Sequence, residues 1–435
     1  MELKFLDKYR KVLEDNKFYN SYGKVKEVIG LTIQVEGIKS FVGEVCKIIL
    51  GNNEVVEAEV VGFKGDTALL MPLGELRGVN SGALVKTTGK SLSVKVGSEL
   101  LGKIVDGLGN VIEGESLDLK DEYSIYNPPP NPLKRKRIKE IMPTGVKAID
   151  GLITCGEGQR IGVFAGSGVG KSTLLGMMSR YCESDVNVIA LIGERGREVL
   201  DFMENNLGEE GLKKSIVVCA TSDQPALIRL KGAFVATAIA EYFRDCGKKV
   251  MLMMDSVTRF AMAQREVGLA IGEPPATKGY TPSVFAMLPQ LLERSGTSEK
   301  GSITAFYTVL VEGDDMNEPI ADSVRGILDG HIILSRKIAE KNHFPAIDVQ
   351  QSISRLMKEI VSSEHYNAAS ELRNNLATYE KAEDLINLGA YKKGSNVLID
   401  RAVNLNPQID DFLKQSVEER IHYDKVVQNI TKIFQ

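Results

Sequence analysis

The chain has 435 residues, 43% apolar and 26% charged, which excludes a disordered polypeptide and allows two to four domains. Its 54 Lys and Arg against 58 Asp and Glu leave a net charge of −4, so it is not expected to coat nucleic acid over its whole surface. No apolar run approaches the roughly 18 residues that span a bilayer, and the first twenty residues lack a signal-peptide core. A cytoplasmic location is therefore expected, with membrane association only through a partner. Five widely spaced cysteines, Cys46, Cys155, Cys182, Cys219 and Cys246, form no C-x-x-C pair. They read as small buried hydrophobes in a reducing cytosol rather than zinc ligands.

Near the start, Phe5, Leu6, Tyr9, Val12 and Leu13 recur at helical spacing. Such a stripe either packs on the protein's own body or docks a partner. From Gly23 to about Val96 the texture is strand, with strict alternation in Leu31–Glu36 and a β-branched run in Glu54–Val61. Turn signals recur between these runs, so a small barrel or sandwich is predicted. Tyr126–Pro132 holds four prolines and reads as an extended connector. The basic run Lys134–Lys139 after it reads as a solvated face. From Met142 to about Ser354, apolar strands are predicted at Arg160–Ala165, Val186–Ile192, Ser215–Ala220, Lys249–Met254 and Ser302–Leu310. Helices such as Lys171–Tyr181 and Ala226–Asp245 lie between them, which predicts a parallel sheet with crossover helices. From about Tyr366 the chain reads as helical. Leu372, Leu376 and Tyr379 share one face, Val417, Ile421 and Ile430 lie on another stripe, and Gly389 and Pro407 punctuate the segment.

The chemistry concentrates where the Arg160–Ala165 strand runs into Gly166-Ser167-Gly168-Val169-Gly170-Lys171-Ser172-Thr173 and then a helix. The three glycines let the backbone curl so that its N–H groups face phosphate oxygens, and the helix N-terminus adds partial positive charge. Lys171 is placed to reach the β- and γ-phosphates, and the Ser172 hydroxyl to ligate Mg²⁺. This is a P-loop for ATP, with one departure: Ala165 stands where the strict pattern has Gly. Asp255 closes an apolar strand and can hold a water on the same Mg²⁺. Glu194 follows a third strand, in Gly193-Glu-Arg-Gly-Arg-Glu198, and can orient the attacking water, while Arg195 can reach the γ-phosphate. The alternative for that turn is a charged surface loop with internal ion pairs.

These motifs, with Asp255-Ser-Val-Thr-Arg-Phe-Ala-Met-Ala-Gln-Arg-Glu266 and the stretch Gly268–Arg294, resemble the flagellum-specific export ATPases. Those form the type III secretion branch of the family containing the rotary ATP synthase catalytic subunit. The resemblance is dense between Pro143 and Arg355 and looser outside, and Ala165 is usual in this branch. It implies an α/β fold: a RecA-like P-loop core over 97–365, an N-terminal small β-barrel over 23–96, a C-terminal helical domain over 366–435, and a helical docking segment over 1–22. It implies a homo-hexamer with ATP and Mg²⁺ at the interfaces and Glu194 as the catalytic carboxylate. It makes Arg355 an arginine finger entering the neighbour's site and Phe344 the aromatic against adenine. Its implied partners are a stator-like regulator at the N-terminal segment, export chaperones with their substrates, and the membrane export gate, with no nucleic acid. A virulence secretion ATPase shares nearly all of these motifs. A rotary subunit fits less well, because the C-terminal part lacks its acidic run. An RNA-translocating motor would need a basic, aromatic N-terminal domain, whereas Ser21–Val96 holds only Tyr22, Phe41 and Phe63 as aromatics.

Overall fold

The computed structural model describes residues 22–51, 54–113, 117–311, 313 and 315–435, so the stripe from Phe5 to Leu13 lies outside the described residues. The chain forms two compact units. The first holds the residues up to Leu92 with Glu266–Pro274, and the second holds Ser93–Arg265 and Pro275–Gln435.

In the first unit, six antiparallel strands close on themselves: β1 (Tyr22–Ile29), β2 (Thr32–Glu36), β3 (Glu44–Ile49), β4 (Val55–Lys64), β5 (Thr67–Pro72) and β6 (Leu84–Ser91). Their order around the barrel is β1-β2-β5-β4-β3-β6. Alternate residues point inward, so Val25, Ile33, Val35, Ile48, Val60, Leu70 and Val85 fill the interior. Closure resolves the choice left open by the alternation in favour of a barrel and leaves no unpaired strand edge.

The second unit is built on a nine-stranded sheet. Along it run β17 (Ile347–Ser354), β16 (Gly330–Leu334), β10 (Arg160–Ala165), β15 (Ser302–Leu310), β13 (Lys249–Asp255), β11 (Val186–Ile192), β12 (Ser215–Ala220) and β8 (Ile104–Asp106). β14 (Gly296–Thr297) pairs with β15, and β7 (Ser93–Val96) with β9 (Asp121–Ser124) forms a separate ribbon. All seven residues of β11 are buried, as expected of a strand covered on both faces. The five strands expected from the sequence pair in parallel, while β14 and β17, which were not among them, run antiparallel to their neighbours. The segment between β16 and β17 carries only the five-residue helix Arg336–Glu340, too short to return the chain along the sheet in parallel.

The helix Lys171–Tyr181 lies backbone to backbone against a π-helical turn, Phe202–Leu207. A Cβ on Gly176 would sit 2.6 Å from the Asn206 carbonyl oxygen, so only glycine fits there. Helix Ala226–Asp245 is buried along most of its length and carries Glu241, which pairs with Arg294 at 2.6 and 2.9 Å. Both side chains are at most 2% exposed. The connector joins this pair: the Ile125 carbonyl accepts from Arg294 at 2.5 Å, and the Asn127 amide donates to Glu241 at 3.0 Å.

Three further expectations hold in part. In the basic run Lys134, Lys136, Arg137 and Lys139 are exposed as expected, but Arg135 is half-buried and donates to the carbonyls of Glu293 and Ser295. Cys46, Cys155 and Cys182 are buried, whereas Cys246 is exposed. The C-terminal region is helical over Ser363–Asn387, Val397–Leu413 and Tyr423–Lys432, but residues 388–396 and 414–422 are not. Gly389, at φ of 67°, follows the C-cap of the first helix and stops it, and Val417 lies in the second gap, exposed. Leu372, Ile409, Phe412, Val426 and Ile430 of these helices join Ile149, Leu152 and Leu174 in one core. Among the described residues, no helix is long and apolar enough to cross a membrane.

Candidate active site

β10 delivers the chain, fully buried after its first residue, to Ala165 at the C-terminal edge of the sheet. The loop that follows turns through Gly168 at φ 78° and Gly170 at φ 85°, both in the left-handed region that disfavours a side chain. Val169 is buried and anchors the loop. No side chain caps the helix that begins at Lys171, so its first-turn N–H groups are left for a ligand. Loop and helix start form one wall of a cleft of about 570 Å³. Gly166, Ser167, Gly168, Gly170, Lys171, Ser172 and Thr173 all line it.

Strand order brings the acids to the same cleft. Asp255 ends β13 and contacts the Lys171 ammonium, which also lies 3.7 Å from Glu194. The Thr308 hydroxyl donates to Asp255 at 2.7 Å and fixes its carboxylate. Glu194 emerges after β11 and is 9% exposed. Burial, and then the negative charge of Asp255, push its carboxyl up to about 7, with Lys171 opposing. Glu198, one helical turn on, is held below the usual carboxylate range, first by the hydrogen bond it shares with Glu194. The two shifts run in opposite directions, so of this pair Glu194 takes up a proton first as pH falls.

The remaining expected residues fall in three places. Arg195 lines the cleft with its side chain 73% exposed and 3.6 Å from Glu198. Phe344 stands on the P-loop: a Cβ on Gly170 would lie 3.6 Å from its ring. Beside it is a recess of about 500 Å³ bordered by Asn342, Asp411 and Lys414. Arg355 is exposed just beyond β17 and does not line the cleft of its own chain. The structure adds Glu198, Arg259 and Arg336 to the cleft, none of which had been singled out. Arg259 packs against Gly193, and its buried Nε has no hydrogen-bond partner among the described residues. Its signal was present: it lies on the first turn of helix Val257–Ala270, just past a strand end where α/β sheets bind ligands.

Among the described residues no group of three or more His, Cys, Asp or Glu side chains is placed to hold a metal ion. A set of one hydroxyl, Ser172, and one carboxylate, Asp255, suits a Mg²⁺ that takes most of its shell from water and phosphate.

Residues 145–354 match the nucleotide-binding domain of the ATP synthase alpha/beta family, and residues 25–89 match the β-barrel domain of that family. Residues 361–432 match the T3SS EscN ATPase C-terminal domain. The flagellum-specific ATP synthase of Bacillus subtilis is 57% identical over 424 residues, covering 97% of each chain. The type 3 secretion system ATPase of Xanthomonas euvesicatoria is 52% identical over 414 residues, 95% of this chain and 94% of that one. The assembled ATPase EscN of the enteropathogenic E. coli type III secretion system superposes with a TM-score of 0.90 at 47% identity, covering 95% of this chain and 100% of the chain in that structure. EscN in complex with its central stalk EscO matches with a TM-score of 0.88. With the barrel, the P-loop sheet and the helical C-terminus all shared, the chain belongs to the ATP synthase alpha/beta family, in the branch of flagellar and type III secretion ATPases.

Proposed function

We propose that this ATPase works as one of six subunits in a ring that drives export of flagellar proteins, with its chemistry at the Lys171–Glu194–Asp255 cleft. The observation that carries the site is the convergence of those three side chains on the uncapped P-loop helix. The loop N–H groups and Lys171 bind the phosphates of ATP. Ser172 and, through water, Asp255 would hold Mg²⁺, which when bound neutralises charge on the β- and γ-phosphates. Glu194 orients a water in line with the γ-phosphorus and takes its proton, a role suited to a carboxyl with a pKa of about 7. The bond from that water oxygen to phosphorus forms as the bond to the bridging oxygen breaks, and its electrons leave with ADP. Arg195, and Arg355 of the adjacent subunit, stabilise the charge developing on the transferring oxygens. Phe344 packs on adenine.

An exposed Arg355 outside its own cleft is what a finger acting on a neighbour requires. A stalk-bound relative supports a regulator as partner. We place chaperone–substrate complexes and the export gate downstream, and the protein in the cytoplasm at the membrane face of that gate. A virulence secretion ATPase is the second reading, favoured by the 52% identity to the Xanthomonas protein.

Replacing the chromosomal copy by Lys171→Ala and measuring flagellin in the medium, with membrane ATP synthesis in parallel, separates these readings. Lost flagellin with unchanged ATP synthesis supports flagellar export. Normal flagellin export rejects it, and the ATP synthesis result then distinguishes a rotary role from another secretion system.

A further inference from the structure

Among the described residues, four basic side chains line the cleft: Lys171, Arg195, Arg259 and Arg336. Three of them face acids. Lys171 is held by Asp255 and Glu194, Arg195 by Glu198, and the positive charge of Arg259 acts on Glu194. Arg336 has no ion pair or side-chain hydrogen bond with any described residue, and it is exposed to the cleft. A guanidinium left unpaired beside an uncapped P-loop helix is poised for an anion that arrives from outside the chain.

Register fixes which part of the ligand it meets. Ala165 of β10 pairs in parallel with Leu334 of β16, so Ser167 and Arg336 each lie two residues past the same pair at the sheet edge. Asp255 ends β13 and Glu194 follows β11, and both strands lie on the opposite side of β10, beyond β15. The hydrolytic groups and Arg336 thus flank the P-loop from opposite sides. The 335–346 connection that carries Arg336 also carries Phe344, which stands on Gly170. From this placement we infer that Arg336 is a nucleotide-positioning residue that binds the α-phosphate, the group common to ATP and ADP, rather than the γ-phosphate. The inference rests on the P-loop being the nucleotide site. Arg336 then sets affinity and leaves the chemical step to Glu194.

The test compares Arg336→Ala, Arg336→Lys and Lys171→Ala with the unaltered chain by calorimetric titration with ATP, ADP and pyrophosphate, and by steady-state hydrolysis. Arg336→Ala is expected to weaken ATP and ADP alike by about tenfold, the scale of one charge-assisted hydrogen bond, and to raise KM equally. Pyrophosphate affinity and kcat are expected to stay within about twofold. Arg336→Lys recovers part of the affinity, because it keeps the charge and loses the fork. Unchanged nucleotide affinity overturns the assignment. So does a loss confined to ATP, an equal loss for pyrophosphate, or a fall in kcat with KM unchanged. A lowered melting temperature in both Arg336 variants, with affinity no better in the Lys form, marks a structural role and also overturns it. Normal binding by Lys171→Ala would instead reject the P-loop reading itself.

Discussion

Lys171 and Glu194 stand 3.7 Å apart, with the same ammonium in contact with Asp255. The lysine is therefore the cation that lets two buried acids share one cleft. Removing it takes away a phosphate ligand and leaves the acids facing one another. Lys171→Ala is expected to weaken ATP binding by about 100-fold or more, the scale of a hydrogen bond to a charged group plus the repulsion released. Titration with a fluorescent ATP analogue checks this, and an unchanged Kd would refute the role.

The raised pKa of Glu194 fixes a pH dependence. Below about 7 the carboxyl is protonated and cannot accept a proton from water, so kcat/KM should rise with pH through an acid limb centred near 7. Glu194→Gln should abolish hydrolysis by about 10²–10⁴-fold while keeping nucleotide binding. Between 4.5 and about 7 the folded state holds a proton that the unfolded state has lost, so this group's contribution to stability falls as pH rises through that window. Denaturation of the Gln variant should lack that slope. A kcat/KM profile flat between pH 5.5 and 8 would count against the assignment.

Arg355 lies outside its own cleft, so its effect should appear only between subunits. Arg355→Ala is expected to retain nucleotide binding and lose about 10³–10⁵ in hydrolysis, or roughly 4–7 kcal/mol of barrier. Mixing Arg355→Ala with Glu194→Gln should restore part of the activity, because some interfaces then combine an intact Glu194 with an intact neighbouring Arg355. Mixed samples no more active than either variant alone would place the arginine in cis.

The Glu241–Arg294 pair makes a prediction about stability. Both partners are at most 2% exposed, so Glu241→Ala leaves a guanidinium charged and unpaired in the core. A loss of about 3–5 kcal/mol is expected, read from urea denaturation. A change below about 1 kcal/mol would mean that the carbonyl of Ile125 and nearby dipoles hold Arg294 unaided.

What could be read in the sequence was what is local. The strand, three glycines, Lys171 and helix lie within one short stretch, and their spacing alone predicts the loop that is observed. The apolar runs of β11, β13 and β15 needed no partner to be recognised. Barrel and sandwich could not be separated, because both demand the same alternation and differ only in which strands pair. Arg336 was missed because its nearness to the P-loop follows from strand order, which no single segment encodes, whereas Glu198 and Arg259 each lie a few residues past a strand end that the sequence had already marked. Phe344 and Arg355 came into view only through family resemblance, since nothing local distinguishes them from a packed ring and a surface charge. Residues 414–422 hold Val417 and Ile421 of the expected apolar stripe yet lie outside the helices, and Gln415 there finds partners at Gly145 and Lys147, far away in the chain.

Those partners join distant parts of the second unit. The Gln415 side chain accepts from the Lys147 amide at 2.7 Å and donates to the carbonyls of Gly145 and Glu419, both at 2.8 Å. Its own backbone amide donates to the Phe344 carbonyl at 3.0 Å. One residue thus clips the C-terminal helices both to the entry of the nucleotide-binding core and to the aromatic wall over its P-loop. It is the pin of a lever. A load borne by the helices reaches the Phe344 segment through this amide, with the His343–Asp410 contact at 3.0 Å and the Lys341–Glu383 pair at 3.1 Å bearing on the same connection.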